Sequence, residues 1–132
     1  DNNDRQRIRI CMTSKEELIY ENYKATVEDL ESYIDDLQEK HGDLVSAIDA
    51  VKEYRDVQET REGLAPITDG IFVHADFKPD KGFKINAGDG VVVDKTADEV
   101  VDLLEQRISD VESAIEQAQD ELLSIYDEID AL

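Results

Sequence analysis

The chain is poor in the residues that close compact or oxidised folds: two prolines, no tryptophan and a single cysteine, Cys11, in 132 residues. One cysteine cannot form an internal disulfide, which fits a reduced, cytoplasmic setting. Apolar runs are short too. None nears the roughly 18 residues of a membrane span or the apolar core of a signal peptide, so neither membrane insertion nor export is expected. Basic residues are the other shortage, with 14 Lys and Arg against 34 Asp and Glu and a net charge of −20 at pH 7. Phosphate backbones and anionic lipids both demand clustered cations, so nucleic acid and membrane are excluded as partners.

What is present points to long helices. The chain is 40% apolar and 36% charged, closer to a coiled coil than to a globule with a large private core. Carboxylates this dense also suit a protein kept soluble at very high salt, where screening quenches self-repulsion. A halophilic source is therefore expected, and folding and assembly that ignored salt between low and molar concentration would dismiss it.

Only Leu64 to Thr96 breaks the helical period. Ile71, Val73, Ala75 and Phe77 alternate with Phe72, His74 and Asp76; Phe83, Ile85 and Ala87, then Val91 and Val93, repeat the pattern after Gly/Pro/Asp punctuation. Period-two alternation between such breakers predicts short strands joined by turns. The expected divisions are a mobile N-terminal tail over 1–13, a first coiled-coil helix over 14–62, a β-hairpin insert over 63–96 and a second coiled-coil helix over 97–132. The fold class is α+β: a long antiparallel two-helix coiled coil with two β-hairpins, four short strands, between the helices.

Ser14-Lys15-Glu16-Glu17 has the form of a capping box for the first helix, and Gly63 stands where a C-terminal cap belongs. Between them Tyr23, Val27, Leu30, Ile34, Leu37, His41, Leu44, Ile48 and Val51 keep an unbroken three-four alternation. Gly42 costs about 1 kcal/mol relative to Ala in a helix, yet the heptad register passes through it intact, which argues against a turn there. Thr96-Ala97-Asp98-Glu99 forms a second capping box, followed by Val101, Leu104, Ile108, Val111, Ile115, Ala118, Leu122, Ile125, Ile129 and Leu132. If Glu62 and Ala97 share a level, His41 faces Ala118 and Val51 faces Ile108. Leu132 then reaches only Val27, and Leu18, Ile19, Tyr20 and Tyr23 overhang. An arm of roughly 36 residues extends some 50 Å at 1.5 Å per residue, and apolar groups at its tip can hold another chain's apolar segments. The expected tip set is Leu18, Ile19, Tyr20, Tyr23, Ile125, Tyr126, Ile129 and Leu132.

No enzymatic constellation emerges. The serines have no histidine partner at recognisable spacing, and carboxylates on helix exteriors serve as a solvated face. Gly88-Asp89-Gly90 leads into a strand, whereas a phosphate loop opens a helix. Asp76 to Gly82 imitates a calcium loop but carries lysine where glycine is required, and His41 has no second ligand cluster beside it. Neither a cofactor nor a metal is expected.

Leu64-Ala65-Pro66-Ile67, Gly70-Ile71-Phe72-Val73-His74-Ala75 and Ile85-Asn86-Ala87-Gly88-Asp89-Gly90-Val91-Val92-Val93-Asp94-Lys95-Thr96 resemble the core of the prefoldin α subunit. The glycine-rich run ending in acid-Lys-Thr is the specific part. Room for two hairpins between the helices implies the α rather than the β type. Thr68-Asp69-Gly70 replaces the glycine pair common at the first turn, and Asp89 stands where a small residue is frequent. The resemblance implies an ATP-independent chaperone subunit in a hexamer of two α and four prefoldin β subunits, holding non-native polypeptides at coiled-coil tips and delivering them to a group II chaperonin. Two hairpins alone can neither bury their faces nor satisfy their edges, so Ile71, Val73, Phe83, Ile85, Val91 and Val93 are expected to build the assembly platform. A coiled-coil scaffold or tether for one folded partner shares every heptad argument and is the alternative.

Overall fold

A computed structural model describes the backbone of residues 2–57 and 61–132, with side chains from Ser14 onward. Helix α1 (Asn2–Asp56) leads to strands β1 (Arg61–Thr68) and β2 (Ile71–Phe77), a single 3-10 turn at Pro79–Lys81, strands β3 (Phe83–Asn86) and β4 (Val92–Lys95), and helix α2 (Ala97–Asp130). The predicted fold class is the one observed: two long helices with two antiparallel strand pairs between them. Among the described residues, no helix is long and apolar enough to cross a membrane.

The helix boundaries differ from those predicted. Helix α1 begins ahead of Ser14, whose capping box is therefore interior, because no glycine or proline stands between Asn2 and His41 to stop it. It passes through Gly42 unbroken and ends at Asp56 rather than 62. Gly63 is no helix cap. It lies in β1 opposite Ala75, and the Phe77 ring crosses it so closely that an added Cβ would meet Cδ2 at 2.9 Å.

The chain forms two compact units, residues 1–41 with 110–132, and residues 42–109. In the first, buried Val27 and Ile34 on α1 and Val111, Ala118 and Ile125 on α2 form the seam. Two side-chain hydrogen bonds run across it in antiparallel order: His41 to Glu112 and the Tyr126 hydroxyl to Glu31, both at 3.0 Å. The helices here are thus antiparallel. In the second unit Leu44, Ile48, Val100, Val101 and Leu104 are buried, and Arg55 donates to Asp98 at 3.2 Å. Every buried residue described is apolar, and even the least exposed, Ala118, retains 4% of its surface. The chain has a seam in place of a deep interior.

This pairing corrects the predicted alignment. His41 meets Glu112 where Ala118 is predicted, and Arg55 is level with Asp98, a displacement of about one heptad. The cause is the early end of α1 at Asp56: Arg61 and Glu62, assigned to its last turn, belong instead to β1. Within the first unit, buried Val27 and Ile34 run in opposite order to buried Ala118 and Ile125, setting Ile34 at the level of the small Ala118.

In the second unit β1 and β2 pair antiparallel from Arg61↔Phe77 to Thr68↔Ile71, with an irregularity between Pro66 and Thr68 before the Asp69-Gly70 turn. Strands β3 and β4 pair from Phe83↔Lys95 to Asn86↔Val92. Their loop is held by the Ala87 amide on the Val91 carbonyl at 2.8 Å and the Gly88 amide on Asn86 Oδ1 at 2.9 Å, with Asp89 in left-handed backbone at φ 50°. Gly82 introduces β3 at φ 75°, and its missing Cβ leaves room for the Lys95 carbonyl oxygen, which would otherwise lie 2.8 Å away.

Candidate functional site

Most of the exposed large apolar residues lie on the hairpins, at Leu18, Ile19 and Tyr20 of α1, or along the C-terminal part of α2, with Tyr33 and Val45 exposed separately on α1. On β1–β2 the cross-strand pairs define the faces. Gly63/Ala75, Ala65/Val73 and Arg61/Phe77 share one; Glu62/Asp76, Leu64/His74 and Pro66/Phe72 share the other. The first is half-buried near Phe77 and open at Val73 and Ile71. The second is open throughout, with Leu64 57% and Phe72 56% exposed. This hairpin is therefore apolar on both sides of its turn end, and Ile67 is exposed at the irregularity between them.

The β3–β4 hairpin is built differently. Phe83, Ile85 and Val93 are half-buried on one face, whereas the other carries Lys84 and Asp94, a cross-strand pair joined at 2.9 Å. Its exposed apolar residues, Val91 and Val92, are confined to the loop end. Tyr54, from the end of α1, lies edge-on to both hairpins, 5.4 Å from Phe83 and 6.5 Å from Phe77 between ring centroids. Such edge-to-face geometry contributes about 0.5–1.5 kcal/mol beyond area burial. Strand β4 then runs straight into α2 through the predicted capping box: the Glu99 amide donates to Thr96 Oγ1 and the Thr96 amide donates to Glu99 Oε1, both at 3.2 Å. The backbone amide and then the hydroxyl of Thr96 hold the Glu99 carboxyl below its usual 4.5.

Of the six predicted assembly residues, Ile71, Val73 and Val91 are exposed and Phe83, Ile85 and Val93 are half-buried. Sequence reasoning missed Leu64, Ile67, Phe72 and Val92 by following a single alternation and taking the opposite face as polar. Phe72 between Ile71 and Val73 was the available signal. Tyr54 carried none, since it stands one residue off the predicted stripe, beside Arg55, where an aromatic on a helix gives no sign of its contacts.

Leu18, Ile19 and Tyr20, which lie inside α1 rather than at its start, are exposed, Leu18 at 66%, as are Tyr126 and Leu132 toward the end of the chain. The remaining predicted tip residues sit differently. Ile125 is buried in the seam at 8% exposure, Ile129 is half-buried, and Tyr23, predicted to lie beyond the second helix, is half-buried against it. Leu123, absent from the predicted set, is exposed on the outer side of α2. Hydrogen bonds to Glu128 and Glu31 hold the Tyr23 and Tyr126 hydroxyls above their usual 10.0, and partial desolvation adds to this. Among the described residues, no group of three or more His, Cys, Asp or Glu is arranged to hold a metal ion. His41 lines a shallow groove with Gln38, Glu112, Ile115, Glu116 and Gln119, and its ring nitrogen is already engaged by Glu112.

A family model described as a prefoldin subunit matches residues 23–132. Among curated proteins, the chain is 27% identical over 114 residues to prefoldin subunit alpha of Thermofilum pendens, covering 84% of this chain and 88% of that one. It is 31% identical over 90 residues to prefoldin subunit alpha of Methanothrix thermoacetophila, covering 68% and 59%. Among solved structures, the filamentous PFD of Methanocaldococcus jannaschii, determined by cryo-electron microscopy, superposes with a TM-score of 0.74 at 16% identity, over 83% of this chain and 90% of that one, and has the same fold.

Proposed function

The chain belongs to the prefoldin family as a subunit of the α class, and from that premise we propose that it acts without ATP, in the cytoplasm, holding non-native polypeptides and delivering them to a group II chaperonin. Membership carries the coarser role of a chaperone subunit that assembles with other prefoldin subunits. The finer reading is an assembly of two α and four β subunits, with Ile71, Val73, Phe83, Ile85, Val91 and Val93 in the platform and Leu18, Ile19, Tyr20, Tyr126 and Leu132 among the client contacts.

One observation carries it: two separate two-stranded sheets, each with open edges, and a β1–β2 hairpin apolar on both faces. An isolated pair of strands is marginal in water and its edges recruit further strands. Sister subunits supply them. Shallow apolar contacts at several helix ends then add through effective concentration, so no single end needs a deep pocket. The −20 charge supports a further part of the proposal, that assembly is adapted to high salt.

The test is to mix the chain with its β-type partner and follow aggregation of an unrelated denatured protein without nucleotide. Suppression supports the chaperone; capture of one native partner with no suppression supports a tether instead. A second reading, assembly of this chain with copies of itself, is favoured by the likeness to a filamentous PFD. Light scattering of the chain alone separates it, since polymers form without any β subunit.

A further inference from the structure

The dipeptide Asp-Gly occurs twice in the chain, once in each hairpin: Asp69-Gly70 between β1 and β2, and Asp89-Gly90 between β3 and β4. At such a step the backbone amide can attack the preceding carboxyl, because glycine puts no side chain in the way. The two steps are held differently. Thr68 and Ile71, which flank the first, pair with one another, so the sheet grips that turn on both sides and Asp69 stays out of the left-handed region. The second lies in the loop 87–91, where Asp89 at φ 50° is the one non-glycine residue with positive φ among the described residues, set between Gly88 at 107° and Gly90 at 77°. Its neighbours' amides are engaged: Ala87 by the Val91 carbonyl at 2.8 Å, Gly88 by Asn86 Oδ1 at 2.9 Å and Val91 by the Gly88 carbonyl at 2.9 Å. Among the described residues, neither the Gly90 amide nor the Asp89 carboxylate has a partner, and both residues are exposed. We propose that Asp89 is a self-modification site, where the Gly90 amide nitrogen closes a succinimide on the Asp89 carboxyl and hydrolysis leaves a β-linked aspartate in the loop.

In the first step the Gly90 nitrogen bonds to Asp89 Cγ, the Cγ–OH bond breaks, and the amide proton leaves with the hydroxyl as one water. In the second, one water adds at the Asp89 backbone carbonyl carbon and its bond to nitrogen breaks, so the chain now runs through the side chain. No oxidant or cofactor is needed. Attack requires Asp89 to turn toward its own carboxyl, and leaving the left-handed region releases strain while the glycines on either side absorb the rotation. Asp69 would have to break strand pairing instead. Both loop bonds, Ala87 to Val91 and Val91 to Gly88, close across the Asp89–Gly90 link, so the added backbone methylene lengthens each ring and loosens the exposed Val91 and Val92. This inference concerns the covalent chemistry of the loop and stands apart from the chain's role toward clients.

The test uses the full chain, incubated for weeks at mildly acidic pH and digested with trypsin, which places Asp69 in peptide 62–81 and Asp89 in peptide 85–95. Electron-transfer fragmentation distinguishes β-linked from α-linked aspartate in each. The β-linked product should accumulate about fivefold faster at Asp89 than at Asp69, the rate equivalent of the strain of one left-handed residue. In urea, where both loops are open, the two rates should converge. Equal rates in the native chain, faster conversion at Asp69, no conversion at either step, or a preference for Asp89 that persists in urea overturns the proposal, the last because it assigns the preference to neighbouring residue types rather than to the fold.

Discussion

The two hairpins share a topology and a shared anchor in Tyr54, yet they are finished to different degrees. Hairpin β3–β4 has one half-buried apolar face, an ion pair on the other, and a direct run into a capped helix. Hairpin β1–β2 has longer strands and exposed apolar side chains on both faces. A sheet face that stays apolar in water marks a contact yet to be made. On the proposed assembly, the larger share of subunit contact is therefore expected at β1–β2.

The largest expected effect breaks that comparison directly. Leu64→Asp with Phe72→Asp should weaken assembly with sister subunits by about 2–3 kcal/mol or more, on the order of 100-fold, while the isolated chain keeps its helicity. Analytical ultracentrifugation of the mixed subunits measures it. Val92→Asp on the other hairpin should cost clearly less, and equal losses would sink the assignment. Next comes Tyr54→Ala, which removes the ring common to Phe77 and Phe83 and should destabilise the chain by about 2 kcal/mol, the low end of large-to-small changes because Tyr54 is half-buried. Thermal unfolding reports it, with tryptic cleavage rising at both hairpins together; cleavage rising at one alone would show that Tyr54 does not unite them.

A smaller effect distinguishes the anchored end of β4. Because Glu99 is held below 4.5, its contribution is fully present above that pH and is lost as pH falls through its lower folded value. Glu99→Gln should flatten this acid-side loss in a melting-temperature profile taken between about pH 5 and 2. Smallest of all, Lys84→Ala removes an exposed ion pair whose partners are 75% and 77% accessible and should move the melting temperature by no more than about 1 °C at physiological salt. A larger shift would mean that the polar face of β3–β4 does more than keep that side wet.

Much of this was legible in the residues. Unbroken heptads, the Thr96 capping box and period-two alternation between glycines gave two helices and four strands, since each rests on local periodicity. The end of α1 was not legible. Apart from Val57, Arg55 to Glu62 is polar and free of breakers before Gly63, so helix and strand compete there on local grounds, and at Arg61 and Glu62 pairing with Phe77 and Asp76 decides for the strand. Phe72 was missed for the same reason: which face of a strand is covered is a property of the assembly, not of the alternation. Tyr23, predicted to overhang, is half-buried because the observed alignment brings α2 about one heptad further along α1, whereas Ile125 and Ile129 already stood in the predicted seam as well as in the tip set.

That displacement has a consequence for the protein itself. A stripe uniformly greasy at seven-residue intervals is a ruler with identical marks, and two such rulers fit almost as well after sliding by one mark. What reduces the ambiguity is unevenness: Ala118 is far smaller than the other buried seam residues, and His41 and Tyr126 bond Glu112 and Glu31 across the seam. Correct alignment of the arm is thus decided by its few irregular teeth, while the regular ones supply the adhesion.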